Sequence, residues 1–261
     1  MIKIKTPHDI EEMKIAGSLS KAALRRAGSL VRPGISTAEI DAAVEGFIRL
    51  HRGTPTFKGY GGFPGSICSS VNEQVVHGIP SPSVILQEGD IISIDTGATK
   101  DGWVGDNAWT FYVGSVSDEA RALCECTRDC LKAGIEAAVP GNHLGDIGAA
   151  VQELAEGNGY GVVRDYVGHG VGRVMHEEPS VPNYGRRHHG VKLQVGMVIA
   201  IEPMITAGSW GTYVLPNRWT VVTDDGSLAA HYENTIAITK DGPIILTEDD
   251  GGPWCSMEGG V

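Results

Sequence analysis

Four acidic residues stand at the edges of segments that are otherwise apolar. They are Asp95 at the end of IISID, Asp106 at the start of DNAWTFYV, Glu202 at the end of MVIAIE and Glu233 just before NTIAIT. Each segment has the composition of a buried strand, and an unpaired buried carboxylate costs several kcal/mol even after relaxation. Few Lys or Arg neighbour these acids in the sequence. The chain must therefore fold so that the four carboxylates share another counter-charge.

Divalent cations are the simplest counter-charge for such a set. Two dications balance four carboxylates, and one neutral imidazole can join as a ligand without changing the balance. Oxygen ligands with one nitrogen suit Mn²⁺, Fe²⁺, Co²⁺ or Zn²⁺ better than a thiolate-preferring metal. Two such ions about 3.5–4 Å apart activate a water and stabilise a hydrolytic transition state. The pattern alone leaves open the alternative that these are surface turn acids, like those of KDG and TDDG.

The stretch VGHGVGRVMHEEP, residues 167–179, is a second candidate for chemistry. It places His169 and His176 seven positions apart in a frame with three glycines. Glycine allows a positive φ and lets another group approach the backbone closely. The stretch therefore predicts that a metal or a ligand lies against this backbone.

The order of predicted elements repeats once along the chain. Thr6 followed by Pro7 predicts a capped helix to about Val31, and Ser36 predicts a second through its capping box. The strands DIISIDTG and GDNAWTFYVG follow, joined by the turn KDGWVG. Ser117 then opens a second pair of helices, and strands return in GMVIAIEPMI, RWTVVTDD and NTIAIT. This layout predicts an α/β (α+β) fold of two related halves packed as one unit.

Composition excludes several classes of function. A net charge of −11 argues against non-specific binding of DNA, and the basic stretches KAALRRAG and RLHRG are interpreted as solvated helix faces. The start of the chain has no apolar signal-peptide region, and no apolar run reaches the ~20 residues that span a bilayer. We therefore expect a cytoplasmic protein with no membrane partner.

The cysteines and most of the histidines match no motif. An odd count of five cysteines argues against a disulfide framework. The CxCx3C cluster falls in a helical pattern, so we interpret its cysteines as small helix residues, with a metal site as the weaker alternative; they are Cys124, Cys126 and Cys130. Six histidines are interpreted as ordinary core or surface residues: His8, His51, His143, His188, His189 and His231.

From about Thr6 to Gly242 the chain resembles the type I methionine aminopeptidases. The resemblance rests on five stretches in the order and spacing of that family: GYGGFPGSICSSVNEQVVHGIP, DIISIDTGATKDGWVGDNAWTFYVG, GHGVGRVMHEEP, GMVIAIEPM and RWTVVTDDGSLAAHYENT. The twenty-six positions from His176 to Glu202 leave no room for the helical insert of the type II enzymes, which favours the compact bacterial form. Three positions differ from the family pattern, and they bear on the shape of the pocket: Phe57, Met175 and Asn234.

The resemblance implies a fold and a metal centre. The fold is the pita-bread fold, with two pseudo-symmetric halves of helices packed on a curved antiparallel sheet. A single catalytic domain would cover residues 1–250, with halves at about 6–114 and 117–240, followed by a loose tail over 251–261. Two divalent ions (Co²⁺, Mn²⁺, Fe²⁺ or Zn²⁺) would be held by five ligands, with Asp106 and Glu233 bridging: Asp95, Asp106, His169, Glu202 and Glu233.

The resemblance also implies substrates and roles. The reaction would be removal of initiator methionine from nascent peptide N-termini with a small second residue. Glu202 would move a proton between the attacking water and the leaving amine, and His77 and His176 would bind the scissile amide. The first side chain would be surrounded by Tyr60, Phe63, Cys68 and Trp219. A monomer is expected, and a contact with the ribosome near the exit tunnel is left open.

Two other functions fit parts of the sequence. One is another pita-bread aminopeptidase or dipeptidase, acting before proline or on dipeptides. The other is a non-catalytic pita-bread module that binds peptides or partner proteins. The first group shares the five ligands but usually carries a separate N-terminal domain, which we do not expect here. The presence of all five ligands together with both accessory histidines argues against the non-catalytic module.

Overall fold

The computed structural model describes residues 1–248. Its helices are α1 (Pro7–Gly28), α2 (Thr37–Leu50), α3 (Asp118–Ala137) and α4 (Leu144–Gly157), with a 3₁₀ turn at Tyr60–Gly62. Its strands are β1 (Thr54–Pro55), β2 (Ile67–Val71), β3 (Gln74–Val76), β4 (Ile91–Lys100), β5 (Trp103–Tyr112), β6 (Gly161–Val162), β7 (Gly168–Gly170), β8 (Glu177–Val181), β9 (Val198–Ile201), β10 (Met204–Thr206), β11 (Thr212–Val214), β12 (Val221–Thr223), β13 (Ala229–His231), β14 (Asn234–Thr239) and β15 (Gly242–Ile245).

The predicted helix starts are confirmed by their caps. The hydroxyls of Thr6, Ser36 and Ser117 each accept a hydrogen bond from the backbone N–H three residues later, at 3.2, 3.3 and 3.1 Å. Such a bond satisfies one of the N–H groups that a helix start leaves without a partner, and it contributes about 1 kcal/mol. The first helix ends at Gly28, slightly before the predicted end near Val31.

The strands form antiparallel sheets, against which the helices pack. In one sheet β4 pairs with β5 on one side and with β1 and β2 on the other. A second sheet has the order β15-β14-β9-β7-β8, and two three-stranded sheets have the orders β13-β10-β6 and β11-β12-β3. Every pairing between described strands is antiparallel. The predicted mixed α/β class with antiparallel sheets is therefore confirmed.

Close approach of α1 to β5 fixes the first helix on its sheet. A Cβ added to Gly105 would lie 2.5 Å from the Cα of Gly17, closer than real Cβ contacts. Two residues without side chains at this crossing let the backbones touch. The helix α2 packs on α1, while α3 packs on α4 and on β13.

A joint between β5 and the start of β14 connects the first sheet to the second. The backbone N–H of Glu233 donates to the carbonyl of Ala108 at 3.0 Å. The hydroxyl of Thr235 donates to the carbonyl of Asp106 at 2.8 Å and accepts from the N–H of Asp106 at 3.3 Å. These bonds bring Asp106 and Glu233, which are 127 positions apart in the sequence, to one place.

Three expectations concern features away from this joint. Cys124, Cys126 and Cys130 lie in α3, and the thiols of the described cysteines are free. Over residues 1–248 no helix is both long and apolar enough to cross a membrane. The predicted loose tail over 251–261 lies outside the described residues, and the bounds predicted for the two halves remain predictions.

Candidate active site

The ladder of β4 and β5 aligns the first two predicted ligands. Asp95 pairs with Ala108 and Gly97 pairs with Asp106, so the two acids are diagonal neighbours across the strands. Side chains two positions apart in a strand point to the same face, and so both carboxylates face one side of the sheet. On the other side of β4, Cys68 pairs with Asp95 and shares this face.

The second sheet supplies the other three predicted ligands. Asn234 pairs with Ile201, so the same register places Glu202, just after β9, opposite Glu233, just before β14. His169 is the central residue of β7, which pairs with β9. The joint between β5 and β14 then sets this group against the acids of the first sheet. We call the five residues the acidic cluster: Asp95, Asp106, His169, Glu202 and Glu233.

Distances show that the imidazole of His169 lies inside this cluster. Its Nε2 lies 3.7 Å from Oδ2 of Asp106 and 3.6 Å from Oε1 of Glu202. Its Nδ1 is 2.9 Å from the carbonyl oxygen of Gly170. Because a carbonyl only accepts, a neutral ring carries its proton on Nδ1 and directs the Nε2 lone pair toward the acids. Burial lowers the pKa of His169 to about 4, so the ring is neutral near pH 7.

The carboxylates of the cluster are strongly perturbed. Asp106 and Glu233 are each 2% exposed, while Asp95 and Glu202 are partly exposed to the cavity. Desolvation raises the pKa of Asp106 to about 7. Desolvation and then the neighbouring carboxylates raise the pKa values of Asp95, Glu202 and Glu233 well above the usual range. Perturbation of this kind is typical of functional sites.

The cluster also has the unsatisfied atoms that a cation site requires. Buried oxygens of three acids have no hydrogen-bond partner: Asp95 Oδ1, Asp106 Oδ1 and Glu233 Oε1. Among the described residues, the nitrogen groups within 4 Å of the cluster acids are histidine rings, whose pKa values are lowered by burial to about 4 for His169 and about 3 for His231, and no Lys or Arg lies within that distance. Asp106, His169 and Glu233 already hold their ligand atoms within 4.8 Å of one another. Divalent cations bound by carboxylate oxygen and imidazole nitrogen fit this donor set.

The two predicted substrate histidines lie beside the cluster. Nδ1 of His176 is 2.9 Å from the hydroxyl of Tyr60, and its ring centroid is 4.2 Å from that of His169. His77 follows β3, and its ring edge meets Trp219 with centroids 6.4 Å apart. Burial lowers the pKa of His77 to about 4 and also lowers the pKa of His176. Both imidazoles are therefore neutral hydrogen-bonding groups near pH 7.

An apolar wall closes the other side of the cavity, whose volume is about 230 Å³. We call it the apolar lining: Phe57, Phe63, Cys68, Met175 and Trp219. All of these side chains except that of Trp219 are at most 8% exposed, and the rings of Phe63 and Trp219 meet edge to face at 5.2 Å. The lining has aromatic and sulfur atoms and no charged group.

The structure brings every predicted site residue to this one cavity. They are Tyr60, Phe63, Cys68, His77, Asp95, Asp106, His169, His176, Glu202, Trp219 and Glu233. His231 matches no sequence motif, and sequence reasoning misses it. It lines the cavity at 2% exposure, and its Nε2 has no hydrogen-bond partner and lies 3.7 Å from Oε2 of Glu202. Its position two residues before Glu233 was a usable signal, since such residues share a face in extended chain.

Comparison with known proteins places this arrangement in a family. The model of metallopeptidase family M24 matches residues 11–240. A methionine aminopeptidase of Clostridium acetobutylicum is 53% identical over 247 residues, which cover 95% of this chain and 99% of the relative. Methionine aminopeptidase 1 of Bacillus subtilis is 49% identical over the same shares. This chain belongs to the methionine aminopeptidases of metallopeptidase family M24.

Solved structures of the family extend the likeness to the fold. The methionine aminopeptidase of Rickettsia prowazekii matches with a TM-score of 0.93 at 44% identity, over 95% of this chain and all of that one. A prolidase of Pyrococcus horikoshii matches with a TM-score of 0.73 at 25% identity, and only 63% of that chain is covered. The predicted pita-bread fold is confirmed, and so is the prediction of a metal-dependent peptidase. The non-catalytic alternative is set aside.

Proposed function

We propose that this M24 peptidase removes the initiator methionine from nascent proteins and peptides whose second residue is small. The observation that carries the proposal is the direct contact of two surfaces in one cavity. The acidic cluster, with its unpartnered carboxylate oxygens, opens onto an uncharged lining of aromatic and sulfur-bearing side chains. The relatives named methionine aminopeptidase support the same assignment.

The acidic cluster would hold two divalent ions, of which Co²⁺, Mn²⁺, Fe²⁺ and Zn²⁺ are candidates. When bound, such ions act as Lewis acids and lower the pKa of a bound water from 15.7 toward about 7. The chain would supply four carboxylates and the Nε2 lone pair of His169. The Nδ1–H bond of His169 to the carbonyl of Gly170 would keep that lone pair directed at the cluster.

Glu202 is proposed as the proton carrier. Its side chain is 13% exposed, so it reaches the cavity while Asp106 and Glu233 are more deeply buried. A carboxylate that lies in the cluster and also reaches the cavity is placed to take a proton from the attacking water. The same carboxyl would then deliver the proton to the amine that leaves.

His77 and His176 are proposed to hold the scissile amide. If the hydroxyl of Tyr60 donates to Nδ1 of His176 across their 2.9 Å contact, Nε2 of that ring carries the proton. An N–H at this position would stabilise negative charge that develops on the carbonyl oxygen. Removal of one donor of this type costs about 10²–10³ in kcat in other enzymes.

The apolar lining is proposed as the subsite for the methionine side chain. A thioether gains about 0.3–1.5 kcal/mol from each well-placed aromatic contact, and Phe63 and Trp219 present such contacts in the cavity. An unbranched chain fits a narrow slot that a β-branched residue cannot enter. Charged side chains would lose their hydration in this lining without gaining a partner.

The setting in the cell is part of the proposal. We propose a monomer that acts in the cytoplasm on emerging peptide N-termini, and a ribosome contact near the exit tunnel is compatible with that setting. The absence of a membrane-spanning helix from residues 1–248 is consistent with it.

The test is a metal-reconstitution assay with matched peptides. Protein freed of metal by chelation is incubated with Co²⁺, Mn²⁺, Fe²⁺ or Zn²⁺, and kcat/KM is measured on Met-Ala, Leu-Ala, Lys-Ala, Met-Glu and Ala-Pro peptides of equal length. We expect no cleavage without metal, and with metal a clear lead for Met-Ala. Equal rates on Met-Ala and Lys-Ala, or on Met-Ala and Met-Glu, would contradict the proposed specificity. A lead for Ala-Pro would favour the proline-directed alternative.

A further inference from the structure

A second group of metal-ligating side chains lies at the start of α4 and shares no residue with the cavity. It consists of His143, Asp146 and His188, whose ligand atoms lie within 4.8 Å of one another. None of them belongs to the acidic cluster or to the apolar lining. We propose that these three residues form a second site for a first-row divalent cation such as Zn²⁺. The inference does not depend on the proposed function.

The backbone holds the three residues in place. Residues 185–191 lie along the first turn of α4, where Leu144 donates to the carbonyl of Val191 at 2.9 Å and Gly145 donates to that of His189 at 3.0 Å. A Cβ on Gly145 would lie 2.1 Å from the carbonyl oxygen of Arg186, so only glycine permits this contact. The site is therefore preformed, and binding would not require the segment to be ordered first.

Asp146 is the fixed centre of the group. It is 3% exposed, and its two oxygens accept hydrogen bonds from the backbone N–H groups of His143 and His188, at 2.7 and 2.9 Å. Desolvation opposes ionisation of this carboxyl, but these two bonds, together with the nearby rings of His188 and His143, outweigh it and lower its pKa. Its remaining lone pairs carry negative charge and are available to a cation.

Both imidazoles face Asp146 at distances that do not suit a direct hydrogen bond. Nδ1 of His143 lies 3.7 Å from Oδ2, and Nδ1 of His188 lies 3.5 Å from Oδ1. A charge-assisted N–H to carboxylate bond is about 2.7–2.9 Å long. Two ligand atoms on a tetrahedral zinc ion with bonds of about 2.0–2.1 Å are about 3.3 Å apart. The observed spacing is closer to the second value.

His143 provides an independent sign of a missing partner. Its Nδ1 is buried; the ring faces the backbone N–H of Asp146 in a capping box, but no hydrogen bond of ordinary geometry satisfies this atom among the described residues. Buried polar atoms are normally satisfied, and a bound cation would satisfy this one. The side chain of His188 is 80% exposed, which leaves the site open to an entering ion and to water as a further ligand.

The surrounding charge sets a limit on affinity. The N-terminus of a helix carries partial positive charge, which disfavours a cation, and the Asp146 carboxylate offsets it. Nearby Arg187 is already paired with Glu153 at 2.6 Å. Imidazole and carboxylate ligands in this setting suit Zn²⁺, Ni²⁺ or Cu²⁺ better than Ca²⁺ or Mg²⁺.

The experiment compares matched changes at neighbouring histidines. His188 has a φ of +63°, a conformation that Asn tolerates, so His188→Asn removes the ring and keeps the backbone. The control His189→Asn changes the next exposed residue of the same segment. Chelated full-length proteins are dialysed against graded Zn²⁺, and bound zinc per chain is counted by mass spectrometry.

We expect wild type and the His189→Asn control to bind one more ion per chain than His188→Asn. Affinity for that ion should fall by more than about 100-fold, because loss of an outer-shell partner alone costs 10–100-fold. Equal zinc content in wild type and His188→Asn, or an equal loss in the control, would overturn the proposal. As a measurement without any substitution, Zn²⁺ should shift the ring NMR signals of His143 and His188. Shifts confined to the cavity histidines would also overturn it.

Discussion

The acidic cluster and the apolar lining are two surfaces of one cavity, and they are built in opposite ways. The lining is part of a hydrophobic core, in which Phe57, Phe63, Cys68 and Met175 are buried among apolar neighbours. The cluster concentrates four carboxylates and leaves some of their buried oxygens without partners. The lining is stable as it stands, whereas the cluster needs cations to offset its charge. We therefore expect changes in the cluster to alter metal content, and changes in the lining to alter substrate preference alone.

The largest expected effect is that of His169→Ala. Its Nε2 lies within 3.7 Å of two cluster carboxylates, so its removal deletes the nitrogen ligand. We expect loss of bound metal in elemental analysis and activity below detection on a Met-Ala peptide. Full metal content in this variant would contradict the proposed ligand set.

The next effect separates the cluster from the histidines beside it. His176→Ala and His77→Ala should each lower kcat by about 10²–10³ while metal content stays near that of wild type. Metal content should stay because neither ring is one of the proposed ligands. Nδ1 of His176 contacts the hydroxyl of Tyr60, and the ring of His77 packs against that of Trp219. Metal loss in His176→Ala equal to that in His169→Ala would remove the distinction.

A smaller effect is expected from the lining. Trp219→Leu removes the ring that meets Phe63 edge to face at 5.2 Å. Differences in an apolar pocket are worth about 1–3 kcal/mol. The ratio of kcat/KM for Met-Ala over Leu-Ala should therefore fall by about 10–100-fold, with unchanged metal content. An unchanged ratio would mean that the lining does not select the first residue.

The smallest effect is the pH dependence of stabilisation by metal. Desolvation raises the folded pKa of Asp106 to about 7, so in metal-free protein this group contributes stability at pH 4 that is lost as the pH rises through 7. Metal must displace that proton at pH 6 but not at pH 8. The rise in Tm on adding Mn²⁺ should be larger at pH 8 by about 2–4 °C, since one pKa unit is about 1.4 kcal/mol. Differential scanning fluorimetry checks this, and a smaller rise at pH 8 would contradict it.

The sequence predicted the cluster well because its acids violate a local rule. Asp95, Asp106 and Glu202 stand out since charge at the edge of an apolar strand is costly, and that cost is visible without any structure. His231 and His143 stand in no such pattern, and both were interpreted as ordinary residues. Pairing of distant segments places His231 beside Glu202. His143 stands only three residues before Asp146, but the approach of a distant segment is needed to bring His188 to the same carboxylate.

By itself, the sequence determined three of the helix starts, the long apolar strands, the family resemblance and the residues that must find a counter-charge, because caps, periodicity and misplaced charge are local properties of the chain. The tertiary structure decided what lies next to what. The joint of Thr235 with Asp106 connects the two sheets, and the contact of Gly145 with the carbonyl of Arg186 brings His188 to Asp146. Such contacts depend on backbone approach between segments far apart in the sequence, for which no local pattern carries the information.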